Sequence, residues 1–238
     1  MVYYLVGGID VEAVRKAGVD YEIVKDVVIR NNIESGSENG AIIIFTGDDI
    51  TIEKNTVENG LIFVHATGSI IRYNTVTAIK EKTKIYGTGI GSDVKAEGGA
   101  NHSNQVYGNE VNDFATGINI IGINQTVYDN VVTNCINGIV LSTLEDSKFY
   151  GNTVKSNKKS SRGFSVSPSS KYLDNVIIGA GLDEANTDSN RNTIDVLGNG
   201  FRIEYTNDEI GQENFKVVVK NNKITSTDVT NFFLLQWC

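Results

Sequence analysis

Short runs in which apolar and polar residues alternate recur through most of the chain. In ITIEKNTV, Ile50, Ile52 and Val57 take the apolar positions and polar residues lie between them. Alternation with a period of two predicts β-strands that bury one face. Each run is only a few residues long, so the pattern predicts many short strands separated by turns.

Most of these runs end in Asn-x-Val or Asn-x-Ile, and copies of the motif are usually about 19 to 24 residues apart. The asparagines are Asn31, Asn55, Asn74, Asn109, Asn130, Asn152, Asn192 and Asn222, with Asn175 as a weaker member. Some residues later, a glycine leads a further strand, as in GINIIG, GIVLS and GFSVS. A short repeat that contains several strands predicts a solenoid.

A coil that returns to its starting side every roughly 20 residues places each strand about 4.8 Å from its equivalent in the next coil. Because Asn tolerates the left-handed backbone conformation, we expect it at the bend between the second and third strands, in an inward ladder. The predicted fold class is therefore all-β: a right-handed, single-stranded parallel β-helix of about eight to nine coils, with a short N-terminal cap.

The two ends of the chain differ from the repeat. Residues 1–26 include VEAVRKAGVDYEIVK, whose apolar spacing permits a short helix, so we expect a cap or lead-in segment over 1–26 and the parallel β-helix over 27–238. The C-terminal TNFFLLQWC is apolar for a free terminus and predicts a last coil, a cap or a contact with another chain. We therefore expect a homotrimer or a piece of a longer chain.

Charge and composition restrict the partners. A formal net charge of -8 argues against binding to nucleic acid, which requires clustered Lys and Arg. No run approaches the roughly 18 apolar residues of a membrane helix, and the N-terminus lacks the layout of a signal peptide. Cys135 and Cys238 can form at most one disulfide. We expect neither nucleic acid nor membrane as a partner.

The N-x-[VI] and G-I-x-[IVL] motifs resemble those of the pectate-lyase-like right-handed β-helix superfamily, which includes bacteriophage tailspikes and a periplasmic copper-processing family. The resemblance covers about residues 27 to 225. It implies the fold more strongly than an activity, since lyases, hydrolases, epimerases and non-catalytic binders share this fold. It also implies that chemistry is found on the outward face of the glycine-led first strand.

We expect the outward positions of that strand to be Ile42, Ile62, Asn119, Val140, Ser165 and Arg202, with Ile44, Val64, Ile121, Ser142, Ser167 and Glu204 beside them. This column contains no carboxylate pair, which argues against a glycosidase centred there. Its first half is apolar, which indicates a covered surface. The alternative is a register that is one residue off in the early coils.

Motifs of known catalytic families are absent. Asp48 and Asp49 resemble the paired aspartates of polygalacturonases, but neither histidine stands in the matching G-H-G, so we expect the pair in a tight turn. The R-x-P-x-x-R arginine of pectate lyases is also missing. We expect no cofactor, with Ca²⁺ held by scattered aspartates as the alternative.

The largest interruption of the repeat lies between Asn74 and Asn109, where about 14 extra residues enter. Loops that leave a solenoid often carry function. The candidate catalytic residues are Lys84, Asp93, Glu97 and His102, with Lys or His as the base and a carboxylate assisting. The alternative is a solvated charged loop, which also applies to Asp183, Glu184 and Asp188 in a second insertion.

Four tyrosines stand one or two residues before a repeat asparagine: Tyr73, Tyr107, Tyr128 and Tyr150. Equivalent residues in successive coils stack, so these tyrosines predict an aromatic column. The column is either structural or, together with Tyr86, a platform for sugars.

The predicted function is polysaccharide binding, with or without degradation, by a phage tailspike or surface appendage located in the virion or outside the cell. One alternative is a secreted polysaccharide lyase, hydrolase or epimerase. Another is a non-catalytic structural or sugar-binding solenoid. The apolar outward column and the apolar C-terminus favour the appendage.

Overall fold

The computed structural model shows a solenoid of parallel strands. It describes residues 7–11, 23–37, 40–59, 62–79, 87–92, 101–167, 170, 172–179, 190–205, 215–226 and 233–237, and within these ranges there is no α-helix. Each coil contributes three short strands that face in different directions. Each strand pairs in parallel with its equivalents in neighbouring coils.

The first strands of the coils form a stack of nine. They are β1 Gly7–Val11, β5 Gly40–Asp48, β8 Ile62–Thr67, β11 Thr88–Gly91, β14 Thr116–Ile123, β17 Asn137–Glu145, β20 Arg162–Val166, β23 Asn199–Tyr205 and β26 Phe233–Trp237.

The second strands continue from the first around an open bend. They are β2 Val24–Lys25, β3 Val28–Arg30, β6 Thr51–Glu53, β9 Ile70–Arg72, β12 Gln105–Tyr107, β15 Thr126–Tyr128, β18 Lys148–Tyr150, β21 Leu173–Ile178 and β24 Phe215–Val219. The two-residue strand β2 pairs with the end of β5, and β3 starts the regular stack.

The third strands form a separate sheet of eight. They are β4 Ile33–Ser35, β7 Thr56–Glu58, β10 Thr75–Thr77, β13 Glu110–Asn112, β16 Val131–Thr133, β19 Thr153–Ser156, β22 Thr193–Val196 and β25 Lys223–Ser226. Eight coils and a ninth first strand confirm the predicted parallel β-helix of eight to nine coils, with the right-handed crossovers that parallel strands adopt.

The predicted lead-in segment 1–26 contributes strands to the solenoid. Both β1 and β2 lie in it, and both pair with β5. The helix predicted around residues 11–18 falls mostly outside the described residues. The boundary between residues 26 and 27 stays a prediction.

The core is a set of columns of apolar side chains, one residue per coil. In the first strands the register aligns Ile42, Ile62, Ile90, Ile118, Ile139, Phe164 and Phe201, all buried. Phe164 and Phe201 stack with ring centroids 5.4 Å apart. Stacked aliphatic and aromatic columns exclude water along the whole described solenoid.

The predicted outward orientation of Ile42 and Ile62 is wrong, and so is that of Ile44 and Val64, because all four belong to the core. The cause is the leading glycine. Gly40 stands two residues before its inward residue, whereas the glycine of the later coils stands one residue before it. The glycines are therefore not equivalent, and the early register was one residue off.

A ladder of asparagines runs through the solenoid at the bend between the second and third strands. Each side-chain Nδ2 donates to the Oδ1 of the asparagine one coil further on, over 2.8 to 3.0 Å. From Asn32 to Asn152, the backbone N–H of each ladder asparagine also donates to the Oδ1 of the asparagine one coil further on. The members are Asn32, Asn55, Asn74, Asn109, Asn130, Asn152, Asn192 and Asn222. The predicted inward ladder is confirmed.

Three details of the predicted ladder are wrong. Its first member is Asn32 and not Asn31. Asn175 lies exposed at a different bend, where its Nδ2 donates to Asp146 Oδ1 over 2.6 Å. The largest interruption of the repeat is therefore the 40 residues between Asn152 and Asn192, and not the 35 residues between Asn74 and Asn109. The left-handed conformation belongs to the residue before the ladder position in seven of the eight coils, such as Asn31 with φ 57° and Asp129 with φ 54°; Arg191, before Asn192, is the exception. That preceding residue turns the chain, so the next side chain can point inward.

Candidate functional site

Of the four predicted catalytic residues, only His102 lies among the described residues; Lys84, Asp93 and Glu97 lie outside them. His102 is half-buried at the corner between the first and second strands. It bridges to Thr67 on one side and Ile123 on the other, and its backbone oxygen accepts the N–H of Gly68 over 2.9 Å. These contacts give His102 a place in the solenoid wall, and the catalytic set stays a prediction.

Asp49 occupies the turn that the sequence predicts for the two aspartates, and Asp48 is the last residue of strand β5. Asp49 has φ 54°, and the chain enters strand β6 just after it. Asp48 forms an ion pair with Lys25 over 3.2 Å. Asp49 thus forms the turn, and Asp48 pairs with a lysine of the neighbouring strand β2. Across the residues that the structure describes, no three His, Cys, Asp or Glu side chains are grouped so as to hold a metal ion, and the calcium alternative stays a prediction.

Most of the described side chains on the outward face of the first strands are buried from solvent. Its register aligns Ile43 with Asn119, Val140 and Ser165 through the intervening coils. Ile43, Val140 and Ser165 are buried although they point away from the core. The Ser142 hydroxyl donates to Asn119 Oδ1 over 2.9 Å. Solvent therefore reaches little of this face.

The outward face of the second strands carries the tyrosine column, and the predicted stack is confirmed for Tyr107, Tyr128 and Tyr150 but not for Tyr73. The register aligns Arg72, Tyr107, Tyr128 and Tyr150. Tyr107 and Tyr128 stack with centroids 4.6 Å apart and planes 12° apart, and Tyr128 and Tyr150 with 5.1 Å and 10°. Ring faces inside this stack cover one another. Tyr86 lies outside the described residues.

Tyr73 belongs to a different column. It stands one residue before the ladder asparagine, whereas Tyr107, Tyr128 and Tyr150 stand two residues before theirs. Its φ is 55°, a left-handed conformation that costs a non-glycine residue about 1–2 kcal/mol. Its ring meets Tyr107 edge-on, at 5.5 Å and 82°, and Tyr73 is 51% exposed.

Gly108 lies directly against the ring of Tyr73. A Cβ at Gly108 would lie 2.6 Å from Cδ1 and Cε1 of the Tyr73 ring, which is closer than real Cβ contacts. The missing side chain at Gly108 therefore gives the Tyr73 ring the space to lie against the next coil.

Arg72 fixes the end of the column. Its Nε and Nη2 both lie 2.7 Å from Glu53 Oε2, and its Nη1 donates to the Tyr107 hydroxyl over 2.8 Å. The guanidinium lies 5.9 Å from the Tyr73 ring centroid and 6.0 Å from that of Tyr107, within cation–π range. The hydrogen bonds to Tyr107 and Glu53 raise the pKa of Arg72 above its ordinary value.

The ionisation of the column follows from its packing. Burial among the rings, and then the neighbouring Tyr107, raise the pKa of Tyr128 to about 12. Desolvation raises the pKa of Asp129, which follows Tyr128 in the turn. Tyr128 is therefore protonated at neutral pH, and its hydroxyl can both donate and accept a hydrogen bond.

We name the surface of Glu53, Arg72, Tyr73, Tyr107, Tyr128 and Tyr150 the tyrosine face. It combines aromatic rings, hydroxyls and a guanidinium that still has N–H groups beyond the three used on Glu53 and Tyr107. Such a surface can stack on an apolar ring and donate hydrogen bonds at its edge.

Sequence reasoning found the four tyrosines of this face but missed Arg72 and Glu53. The signal was present in the spacing, because Arg72-Tyr73-Asn74 aligns with Tyr107-Gly108-Asn109 at the ladder asparagine. Aligning the motif at its asparagine places the arginine directly below the tyrosine column.

The fold defines the chain as a parallel β-helix protein. No protein-family model matches it. It is similar to the uncharacterized protein YclG of Bacillus subtilis (strain 168), with 29% identity over 156 residues, which are 65% of this chain and 27% of YclG.

Among solved structures, the chain is similar to a double mutant of the periplasmic alginate epimerase AlgG. The TM-score is 0.48 at 16% identity, and the match covers 85% of this chain and 45% of that one. The chain thus spans less than half the length of both proteins. No helix in the described part of the chain is long and apolar enough to cross a membrane.

Proposed function

We propose that the chain is a polysaccharide-binding β-helix and that the tyrosine face holds the glycan. The observation that carries the proposal is the contrast between two outward faces. The first-strand face buries Val140 and Ser165, whereas the tyrosine face presents Tyr73 half exposed beside a fixed arginine.

A sugar ring has an apolar face of C–H groups and an edge of hydroxyls. Tyrosine matches both, since its ring is apolar and its hydroxyl is polar. A few well-placed polar groups then set orientation, which is how binding sites obtain specificity. Arg72 is held by Glu53 and Tyr107, so little side-chain entropy is lost when it donates to a ligand.

The experiment is affinity electrophoresis of the intact chain in gels that contain xylan, galactomannan, dextran or polygalacturonate. We expect at least one polymer to retard the chain. Ile70→Glu places a charged side chain at an outward position of β9, two residues before Arg72, and we expect it to remove the retardation. Thr153→Glu, at the first position of a strand in the third sheet, is the control and should leave it unchanged. A chain that no polymer retards would refute the proposal.

The specific form of this proposal is a phage tailspike or other surface appendage that acts outside the cell as a homotrimer. The apolar C-terminal segment supports a homotrimer, because contiguous apolar surface is often buried against another protein. Light scattering on the intact chain tests it. The appendage form predicts three times the chain mass of 25.9 kDa, and a monomer at micromolar concentration would contradict it.

A further inference from the structure

We propose that Tyr73 is the residue on which a pyranose ring stacks, and that Tyr107, Tyr128 and Tyr150 support it without forming further sugar subsites. This inference rests on the proposed function. It assigns the binding role to one position of the tyrosine face and names the part of the ligand that the position takes, the apolar C–H face of a sugar ring.

The first step is the availability of ring faces. Tyr128 lies between Tyr107 and Tyr150, at 4.6 and 5.1 Å, with nearly parallel planes. Both of its faces are covered, so it offers solvent only its edge and its hydroxyl. Tyr73 is turned 82° from Tyr107, and half of its surface is exposed.

The second step is the backbone. The same turn position in other coils is held by Asn31, Lys54, Gly108, Asp129, Gly151 and Asn221, all with positive φ, and by Arg191 in the remaining coil. Most of these residue types adopt that conformation more easily than an aromatic residue does. An aromatic residue in this conformation is strained, and strain of this kind concentrates at ligand sites.

The third step is the orientation of the ring. The missing side chain at Gly108 lets the Tyr73 ring lie close to the neighbouring coil, and the Tyr107 edge limits its rotation. Arg72 beside it is fixed by Glu53. A sugar stacked on the outer face of Tyr73 thus meets a preoriented ring and, at its hydroxyl edge, guanidinium N–H groups.

Arg72, whose guanidinium lies 5.9 Å from the Tyr73 ring centroid, is paired with Glu53, and Lys54 holds the same turn position in the preceding coil. Neutral and acidic polysaccharides both contain a pyranose ring, and this ring is the part of the ligand that we assign to Tyr73. The neutral polymers xylan, galactomannan and dextran and the acidic polygalacturonate show which kind of polysaccharide supplies it.

The test compares two substitutions in two measurements, retardation by the polymers above and the thermal unfolding temperature. Tyr73→Asn removes the ring and supplies a residue suited to positive φ. We expect at least a tenfold loss of affinity, with an unfolding temperature equal to the wild type or up to about 4 °C higher. Tyr128→Leu breaks the stack that supports Tyr73 through Tyr107, and we expect a lower unfolding temperature with a smaller loss of affinity than in Tyr73→Asn.

A loss of affinity in Tyr128→Leu that equals or exceeds the loss in Tyr73→Asn would overturn the inference while leaving the proposed function intact. A wild-type chain that binds none of the polymers fails the proposed function instead. The combination of weaker binding and undiminished stability in Tyr73→Asn is the signature of a ligand-contacting residue, since a merely structural tyrosine would lose stability.

Discussion

The asparagine ladder can be tested at Asn130, in the middle of the solenoid. Its Oδ1 accepts the N–H and the Nδ2 of Asn109, at 3.1 and 2.9 Å. Its Nδ2 donates to Val106 O, Tyr128 O and Asn152 Oδ1, at 2.9 to 3.0 Å. Asn130→Ala removes all five contacts inside a site that is closed to solvent.

The magnitude follows from which groups lose their partners. The Asn109 N–H is left without its acceptor, at a cost of about 1–3 kcal/mol for a buried donor. The other lost bonds add about 1 kcal/mol in total, since their partners keep further contacts. We expect Asn130→Ala to lower the free energy of unfolding by about 3 kcal/mol and the unfolding temperature by roughly 6–12 °C.

Asn222 provides the matched control because it is a ladder member that is only half-buried, near the last coil. Its Oδ1 accepts one bond, from Asn192 Nδ2 at 2.8 Å, and its Nδ2 donates to Ile178 O and Lys220 O, both at 3.0 Å; water can replace these partners at a half-buried site. We expect Asn222→Ala to cost about 1 kcal/mol. Urea denaturation followed by circular dichroism measures both variants. Equal costs at the two positions, or less than about 1 kcal/mol at Asn130, would refute the ladder as a source of stability.

Two further predictions concern ionisable side chains. Burial raises the pKa of Tyr128 to about 12, whereas the phenol of the unfolded chain ionises near pH 10. The stabilising contribution of the protonated Tyr128 is therefore complete below about pH 10 and declines from pH 10 to 12. Urea titrations from pH 8 to 11.5 should show that decline, and a smaller one in Tyr128→Phe; identical pH profiles would contradict the assignment. Burial likewise raises the pKa of the Cys135 thiol to about 11, so iodoacetamide at pH 8 should label Cys135 in a Cys238→Ser chain only in urea, and rapid labelling of the folded chain would show that the site opens.

Much of the fold could be predicted from the sequence because each coil repeats the same physical requirement. Asn55, Asn74 and Asn109 mark buried bends that need a side-chain hydrogen bond, and the ladder shows that they have it. The first-strand register was misassigned because Gly40 looks equivalent to Gly117 although it lies one residue further from the core position. A glycine has no side chain whose polarity would reveal its orientation.

The tyrosine face was predictable only in part. Stacking of Tyr107 on Tyr128 follows from equal positions in successive coils, which the sequence displays. The Arg72–Glu53 pair follows from the same positions, but charges at exposed strand positions are common and carry no distinctive signal. Tyr73 has a positive φ because it, and not Asn74, makes the bend. The residue types at these two positions do not reveal which of them does so.

The ladder asparagines are 19, 35, 21, 22, 40 and 30 residues apart between Asn55 and Asn222, yet adjacent members make the same bond. Side-chain stacking therefore sets the geometry of the coil, and the length of the connecting segments is left free. Evolution can lengthen one connection without altering the coils on either side. For a protein engineer, the places where the spacing grows to 35 and 40 residues are natural sites for grafting new loops.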